Sequence, residues 1–312
     1  MKIIIILASI LISNISFGQP DPRKGYPKRI KEITEQLKTD SLNYGLIWER
    51  LEMKVSLLNS NVGSVTQDQI FSLKIDSTSK KTIKKLYFDE FNIDFDKIYN
   101  NIIKEKKYNI VEEGDFYLNR IWFYSCLLEI DKAIKDAKYL RNTASYSQYW
   151  QRGEYYNDWA LISLFNLYVI DKQYENALEC IDTMLENRKK ENPGVYFSGN
   201  GSGLGINDKI KLFEHFNQTD KIIPFLKKNC KESFNWYFEN SKQNNYETRT
   251  AREQSFFLLK QIVEYMKKYD DNELLKYEGI YNELRNGKNE IYETVNPNLD
   301  DTKLKSTLSK IN

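Results

Sequence analysis

The chain has 312 residues, of which 41% are hydrophobic and 29% charged, with 46 Lys and Arg residues against 44 Asp and Glu residues. Because these charges are interspersed, they argue against a nucleic-acid or anionic-membrane binder, which would show a basic face or tail. A single histidine excludes metal sites built from several histidines, and three cysteines allow at most one internal disulfide.

The first eighteen residues, MKIIIILASILISNISFG, have the pattern of a secretory signal peptide. Lys2 precedes an apolar run at 3–12, and small residues precede a cleavage point after Gly18. The run is too short to span a membrane, no second run approaches the roughly 18 residues that spanning needs, and no Cys follows the cleavage point to carry a lipid. We predict an exported protein, periplasmic or secreted, that begins at Gln19 and has no transmembrane segment after cleavage.

Residues 19–106 are predicted to form an N-terminal helical region with a loop near 59–81. Apolar residues recur at helical spacing in a short helix and in the longer helix that follows it. They are Ile30, Ile33 and Leu37, and then Ile47, Leu51, Val55 and Leu58. The loop is predicted because 59–81 is rich in Ser, Thr, Asn and Gly.

Residues 107–190 are predicted to form two helical hairpins. The first has helices near 116–128 and 131–141 with a very short connection. The second, 155–186, has two amphipathic helices joined by the polar turn Asp171-Lys172-Gln173. An aromatic group made of Tyr146, Tyr149, Trp150, Tyr155 and Tyr156 leads into the second hairpin.

A Gly-rich linker at 191–207 separates these hairpins from further hairpins predicted at 208–286, and a flexible tail is predicted at 287–312. The helices of the C-terminal region are expected near 208–217, 220–240, 247–269 and 271–285. The glycines from Gly199 to Gly205 have a spacing close to that of a nucleotide-binding loop. A helix rather than a strand precedes them and no GK[ST] follows, so we expect no nucleotide and no other cofactor.

The hairpin pattern repeats along the chain. An aromatic residue is followed nine positions later by a small or aliphatic one at Tyr124/Ala133, Tyr168/Ala177 and Phe213/Ile222, with spacings of 44 and 45 residues. Residues 161–181 follow L-x2-L-F-x2-Y and then Y-x2-A-L-x2-I, which resembles the tetratricopeptide repeat, W-x2-L-G-x2-Y and then A-x3-F and Pro.

The match to that repeat is partial. Leu164, Tyr168 and Ala177 agree with the signature, whereas Leu161 stands in place of the Trp and Lys189 in place of the closing Pro. The period exceeds the roughly 34 residues of the standard unit and approaches the ~40–47 of HEAT-like helix pairs, which are the alternative. We predict an all-α helical-hairpin repeat, a tetratricopeptide-like (TPR-like) α-solenoid.

Candidate catalytic residues are few. His215 lies on a predicted helix without a neighbouring nucleophile, and the abundant carboxylate pairs have no recognisable cleft, so we predict a non-catalytic protein without metal or cofactor, keeping a two-carboxylate helical hydrolase as a minor alternative. Cys126, Cys180 and Cys230 all fall within predicted helices. We expect buried free thiols, although the sequence leaves a disulfide possible.

The resemblance implies a protein or peptide partner bound on the concave face, which the first helix of each hairpin lines. Leu118, Leu204 and Asp208 stand where some family members carry a basic clamp, so recognition of a C-terminal carboxylate is not implied. A glycan-binding accessory protein, using the aromatic group between Tyr146 and Trp159 for stacking, is the alternative. The partner-binding residues predicted from this register are Asn119, Trp122, Ser125, Trp159, Ile162, Asn166, Asn207 and Lys211.

Overall fold

The computed structural model describes residues 22–62, 91–107, 111–143, 150–191, 204–243, 246–285 and 301–310. In these ranges the chain is helical without strands, which confirms the predicted all-α class. The helices are α1 (Tyr26–Thr39), α2 (Tyr44–Val62), α3 (91–98, continued by a π-helical turn, Tyr99–Ile103), α4 (Glu113–Cys126), α5 (Ile130–Thr143), α6 (Trp150–Ile170), α7 (Tyr174–Glu191), α8 (Ile206–His215), α9 (Ile222–Asn240), α10 (Tyr246–Lys268), α11 (Leu274–Leu284) and α12 (Asp301–Leu308).

Some predicted features lie outside the described residues. They are the signal peptide, positions 63–81 of the loop, Tyr146 and Tyr149 of the aromatic group, the glycines at 199–203, and 287–300 of the tail.

The chain divides into two compact units, Met1–Gln173 and Tyr174–Asn312. The boundary follows the turn Asp171-Lys172-Gln173, which connects α6 to α7 where the sequence pattern predicted it. The two helices of the predicted central hairpin therefore belong to different units.

In the first unit α4 and α5 form an antiparallel hairpin. Residues early in α4 contact residues late in α5, as in the hydrogen bond of 2.7 Å from Tyr139 Oη to Glu113 Oε1. Helix α6 packs against both of them, and α2 packs against α1 and α4. The core between α3 and α4 is aromatic, with Phe95 in ring contact with Phe116 and Phe123 at centroid distances of 5.8 and 5.3 Å.

A buried ion pair sets the register of the α4–α5 hairpin. The guanidinium of Arg120 donates from Nε and Nη2 to the two carboxylate oxygens of Asp136, at 2.6 and 2.7 Å. Asp136 is only 5% exposed, and the guanidinium also lies within 4.9 Å of the ring centroid of Phe116. A bidentate pair of this kind has one favourable geometry, so the two helices cannot slide along each other without leaving a buried charge unpaired.

In the second unit neighbouring helices also alternate in direction. The Arg188 guanidinium of α7 donates to the Leu204 carbonyl just before α8, at 2.7 Å, while Lys209 of α8 pairs with Asp182 of α7. Helices α10 and α11 are antiparallel, and the stacked rings of Phe256 and Tyr281 lie 5.1 Å apart between them.

Helices α9 and α10 pack through small polar residues. The Ser255 hydroxyl bonds to that of Ser233 at 2.7 Å, and the Cys230 thiol lies 3.4 Å from the Ser255 carbonyl oxygen. Small side chains allow the two backbones to approach closely. None of the three cysteines forms a disulfide, as predicted; Cys180 and Cys230 are buried, whereas Cys126 is only partly buried. Desolvation raises the pKa of Cys126 to about 12.

Helices α8 and α10 of the second unit run side by side in the same direction. Gln261 Nε2 of α10 donates to Asn207 Oδ1 of α8 at 2.8 Å, and seven residues further along each helix Lys268 pairs with Glu214 at 2.5 Å. Equal steps in the same sense along both helices mean that α8 and α10 are parallel. Their facing sides are therefore joined by polar contacts at two successive levels.

The same turn ends α4, α6, α8 and α10, which we call the first helices. Leu128, Lys172 and Asn217 hold positive φ angles of 57°, 60° and 56° in these turns, and Asp270 holds 52°. This is the Schellman arrangement, in which the residue after the left-handed one donates to a carbonyl five positions earlier. The donors and acceptors are Glu129 and Tyr124 at 2.9 Å, Gln173 and Tyr168 at 2.8 Å, Gln218 and Phe213 at 2.7 Å, and Asp271 and Met266 at 2.9 Å.

The recurring turn explains the sequence period. Tyr124, Tyr168 and Phe213, the aromatic residues that recur every 44 or 45 positions, supply the carbonyls that close the turns. Their partners nine positions later, Ala133, Ala177 and Ile222, are fully buried. The equivalent residue after Met266 is Leu275, which is 82% exposed, so the pattern ends at α11.

Lys172→Gly is expected to stabilise the protein. A side chain at positive φ costs about 1–2 kcal/mol, of which the greater entropy of unfolded Gly cancels part, so the free energy of unfolding should rise by about 0.5–1 kcal/mol. Urea denaturation measures it. Lys135→Gly, at an exposed interior position of α5, is the control and should lower the same quantity by about 1 kcal/mol. A loss at Lys172 equal to that of the control would contradict the left-handed turn.

Asp136→Ala is expected to lower the free energy of unfolding by about 3–5 kcal/mol, because it leaves the Arg120 guanidinium half-enclosed without its counter-charge. Thermal and urea unfolding monitored by circular dichroism measure the change. Glu35→Ala breaks the exposed Lys38–Glu35 pair of α1 and should cost less than about 0.5 kcal/mol. Similar losses in the two variants would show that the buried pair does not hold the hairpin.

Candidate functional site

The predicted partner-binding residues lie on three first helices. Asn119, Trp122 and Ser125 are on α4, Trp159, Ile162 and Asn166 are on α6, and Asn207 and Lys211 are on α8. Helices α4 and α6 belong to the first unit and pack against each other, whereas α8 belongs to the second. The six residues of α4 and α6 therefore define one candidate surface, which we call the α4–α6 face.

Two tryptophans connect the two helices of this face. The rings of Trp122 and Trp159 meet edge to face, with centroids 5.9 Å apart and planes at 83°. Both residues are half-buried, so each keeps part of its ring in solvent. The contact between the rings stabilises each tryptophan, and an aromatic side chain offers a large apolar surface at little cost in side-chain entropy.

Three other predicted residues are either hydrogen-bonded within their own helix or buried. Asn119 Nδ2 donates to the Asp115 carbonyl at 3.0 Å, and the Ser125 hydroxyl donates to the Ile121 carbonyl at 2.7 Å. Ile162 is 6% exposed. These side chains support the α4–α6 face, and Ile162 has little surface to present to a partner.

Asn166 differs from them, because its amide oxygen has no hydrogen bond. Of the buried side-chain atoms in the described ranges, Asn166 Oδ1 is one that has no donor within reach. A buried acceptor without a donor costs about 1–3 kcal/mol relative to a satisfied one. Asn166 lies seven residues after Trp159, on the same side of α6, so this acceptor shares a face with the tryptophan.

The structure adds a polar cluster that the sequence did not indicate. The hydroxyl of Tyr156, a residue 3% exposed, lies 2.8 Å from Asp115 Oδ1 and 3.2 Å from Glu112 Oε2. Burial, the bond to Asp115 and the two negative charges all disfavour the phenolate, so the pKa of Tyr156 is raised well above its usual value. The phenol therefore stays protonated and joins α6 to the start of α4.

A glycine makes this contact possible. A Cβ atom on Gly114 would lie 2.3 Å from a carbon of the Tyr156 ring, so any larger residue would displace the ring. The only sequence clue to the cluster was Tyr156 itself, as a member of the aromatic group. Its carboxylate partners lie more than 40 residues away, and no local pattern marks them.

Glu52 of α2 adds a further carboxylate near Asp115. Its side chain reaches solvent, yet desolvation by the surrounding protein, and next the negative charge of Asp115, raise the pKa of Glu52 from 4.5 to about 7. A hydrogen bond from the Trp48 side chain acts in the opposite direction. The α4–α6 face therefore has tryptophan at its middle and carboxylates toward the start of α4.

The remaining predicted residues lie in the second unit. Asn207 is exposed and accepts the hydrogen bond from Gln261, and Lys211 is half-buried on the same helix. His215, the one histidine of the chain, is exposed at the end of α8, with its ring edge-on to Phe216 at 4.9 Å. No group of three or more metal-ligating side chains occurs among the residues that the structure describes.

Comparison of the chain with protein-family models, with curated proteins and with solved structures finds no match. In the described ranges, none of the helices combines the length and the apolar character needed to cross a membrane.

Glu52→Gln is expected to flatten part of the pH dependence of stability. With a folded pKa of about 7 against 4.5, the folded state binds more protons between these values, so the contribution of Glu52 to the free energy of unfolding decreases as the pH rises from 4.5 to 7. Urea midpoints across this range should decrease less steeply in the variant than in the native chain. Glu35→Gln on α1 is the control, and a Glu52→Gln profile parallel to the native one would contradict the raised pKa.

Proposed function

We propose that this protein is an exported, non-catalytic α-solenoid scaffold that binds a protein or peptide partner through its first helices. The observation that carries the proposal is the half-exposed, edge-to-face pair of Trp122 and Trp159 on the α4–α6 face. Export rests on the signal-peptide pattern at residues 1–18.

Three features support a helical-repeat architecture. The same left-handed turn recurs at 128, 172 and 217 with the period of the sequence pattern. Consecutive helices alternate in direction within each unit, and α8 and α10 run parallel. Such features are expected of stacked helical hairpins, in which each hairpin contacts its neighbours and the first helices lie side by side. The 44–45-residue period favours lengthened TPR-like or HEAT-like hairpins over the standard unit.

The chemistry of the α4–α6 face supports a polypeptide as the ligand. Exposed tryptophan is enriched among the residues that dominate protein–protein binding energies, and the two rings could hold one apolar side chain. The nearby Asp115 and Glu112 carboxylates give this end of the face a negative character, which favours a partner that carries a Lys or Arg beside its apolar residue.

Affinity capture tests the proposal. The tagged mature chain, from residue 19 onward, is incubated with the envelope extract of its own source, and retained proteins are identified by mass spectrometry. We expect one stoichiometric partner that is lost with Trp122→Ala/Asn166→Ala. Trp236→Ala/Asn240→Ala, which makes the same changes on α9, is the matched control and should retain the partner.

Two outcomes contradict the proposal in different ways. A partner retained equally by both double variants would mean that the α4–α6 face is not the binding surface. If no protein is retained, tryptophan fluorescence titrated with a panel of oligosaccharides tests the glycan-binding alternative. Circular dichroism of each variant confirms that losses do not come from unfolding.

A further inference from the structure

Helix α12 is attached to the second unit by few contacts. Among its described side chains only that of Leu304 is buried, and it is fully enclosed. By contrast, the neighbouring helix α11 buries the side chains of Tyr277, Ile280, Tyr281 and Leu284. A segment with a single apolar anchor belongs to the parts of a fold that open most easily, because little apolar surface returns to water when it leaves.

Two polar contacts accompany this anchor, one to α11 and one to α9. Lys310 Nζ, just beyond α12, pairs with Glu283 Oε2 of α11 at 3.3 Å, and both side chains reach solvent. Lys305 Nζ lies 5.9 Å from the ring centroid of Phe238 on α9. Helix α12 therefore lies against both helices. Because exposed pairs of these kinds contribute little to stability, the buried leucine is the main attachment among the described contacts.

Helix α12 is also too short to persist by itself. It has eight residues, whereas isolated helices need roughly 12–15 residues to be even marginally stable in water. Its helical form therefore depends on its contacts with α9 and α11. Sixteen residues, 285–300, separate α11 from α12. A chain of that length can extend over at most about 55 Å, so the covalent connection allows α12 to leave without displacing α11.

The chemistry of α12 shows which ligand its position on α9 and α11 accepts. The segment 301–310 carries three lysines, Lys303, Lys305 and Lys310, against one acid, Asp301. The surface beneath it provides a carboxylate in Glu283 and an aromatic ring in Phe238, and it encloses one leucine side chain. A short basic helix with one apolar residue between two lysines therefore matches this surface in both charge and apolar contact.

We propose that α12 is a detachable strap over a second binding site, and that a partner protein displaces it with a short basic helix of the same chemistry. The site is the surface of α9 and α11 that Leu304 occupies in the free chain. Because α12 is tethered, its effective concentration there is of the order of millimolar, so a partner helix opens the site only by binding more tightly than α12 does.

This site goes beyond the function proposed above. It lies in the second unit, and it shares no residue with the α4–α6 face of the first. Its occupant is a basic helix that α12 itself exemplifies, whereas the α4–α6 face is defined by its two tryptophans. Loss of one site therefore leaves the other unaffected, and the two are tested separately.

A fluorescently labelled peptide of residues 301–312, DTKLKSTLSKIN, tests the site by anisotropy titration with the mature chain. In the native chain α12 competes with the peptide. Leu304→Ser in the chain removes the anchor of the strap, so the peptide should bind this variant at least about tenfold more tightly than the native chain. Leu275→Ser makes the same change at a residue of α11 that is 82% exposed, and this matched control should keep the native affinity.

Two further changes locate the bound peptide. A peptide that itself carries Leu304→Ser should not bind to either chain. Glu283→Lys, added to the Leu304→Ser chain, should weaken binding of the unmodified peptide by about threefold to tenfold, because it places a like charge beside Lys310. Equal affinities for the native and Leu304→Ser chains, no binding to either, or a peptide indifferent to Glu283→Lys would overturn the proposal.

Native-state hydrogen exchange of the unmodified chain keeps the test decisive if Leu304→Ser folds poorly. The amides of α12 should exchange at least about a hundredfold faster than those of α11, because the strap opens while the rest of the unit stays folded. Exchange of α12 at the rate of α11 would mean that α12 opens only when the whole unit does, and the strap would then be an integral part of the fold.

Discussion

The architecture depends on a single backbone constraint, the residue with positive φ that ends each first helix. At Leu128, Lys172 and Asn217 this residue turns the chain within two or three positions, so that the carbonyls left open by the helix end are satisfied at once. None of these residues is glycine, so each turn is held against a local conformational cost by the packing on either side of it. These turns recur with the 44- and 45-residue spacings of the sequence pattern.

The interiors of the hairpins obey the rule that buried charges are paired. Asp136 is enclosed by the fork of Arg120, and Asp94, 1% exposed, accepts from Arg50 at 2.7 Å. In these places desolvation is offset by bidentate hydrogen bonds that also fix how one helix lies on the next. The buried aspartates Asp136 and Asp94 therefore both have hydrogen-bonded counter-charges.

The first helices depart from that rule on one side. Asn166 in one unit, and Gln254 and Gln261 in the other, keep buried amide atoms without partners next to half-exposed aromatic rings. Each of these amides carries a desolvation cost that the paired aspartates avoid.

The sequence by itself determined the helices and their period. The predicted helices near 208–217, 220–240, 247–269 and 271–285 correspond to α8, α9, α10 and α11, because amphipathic spacing and turn residues are local signals that survive in a single chain. It also brought Trp122 and Trp159 into one predicted surface, since both follow from the register of the first helices. Only the tertiary structure decided which of those side chains remain available, burying Ile162 and bonding Asn119 to its own helix. The Tyr156 cluster, the raised pKa of Glu52 and the open amides of α10 were beyond sequence reasoning. Each depends on which distant residues meet, and on how far water is excluded where they do.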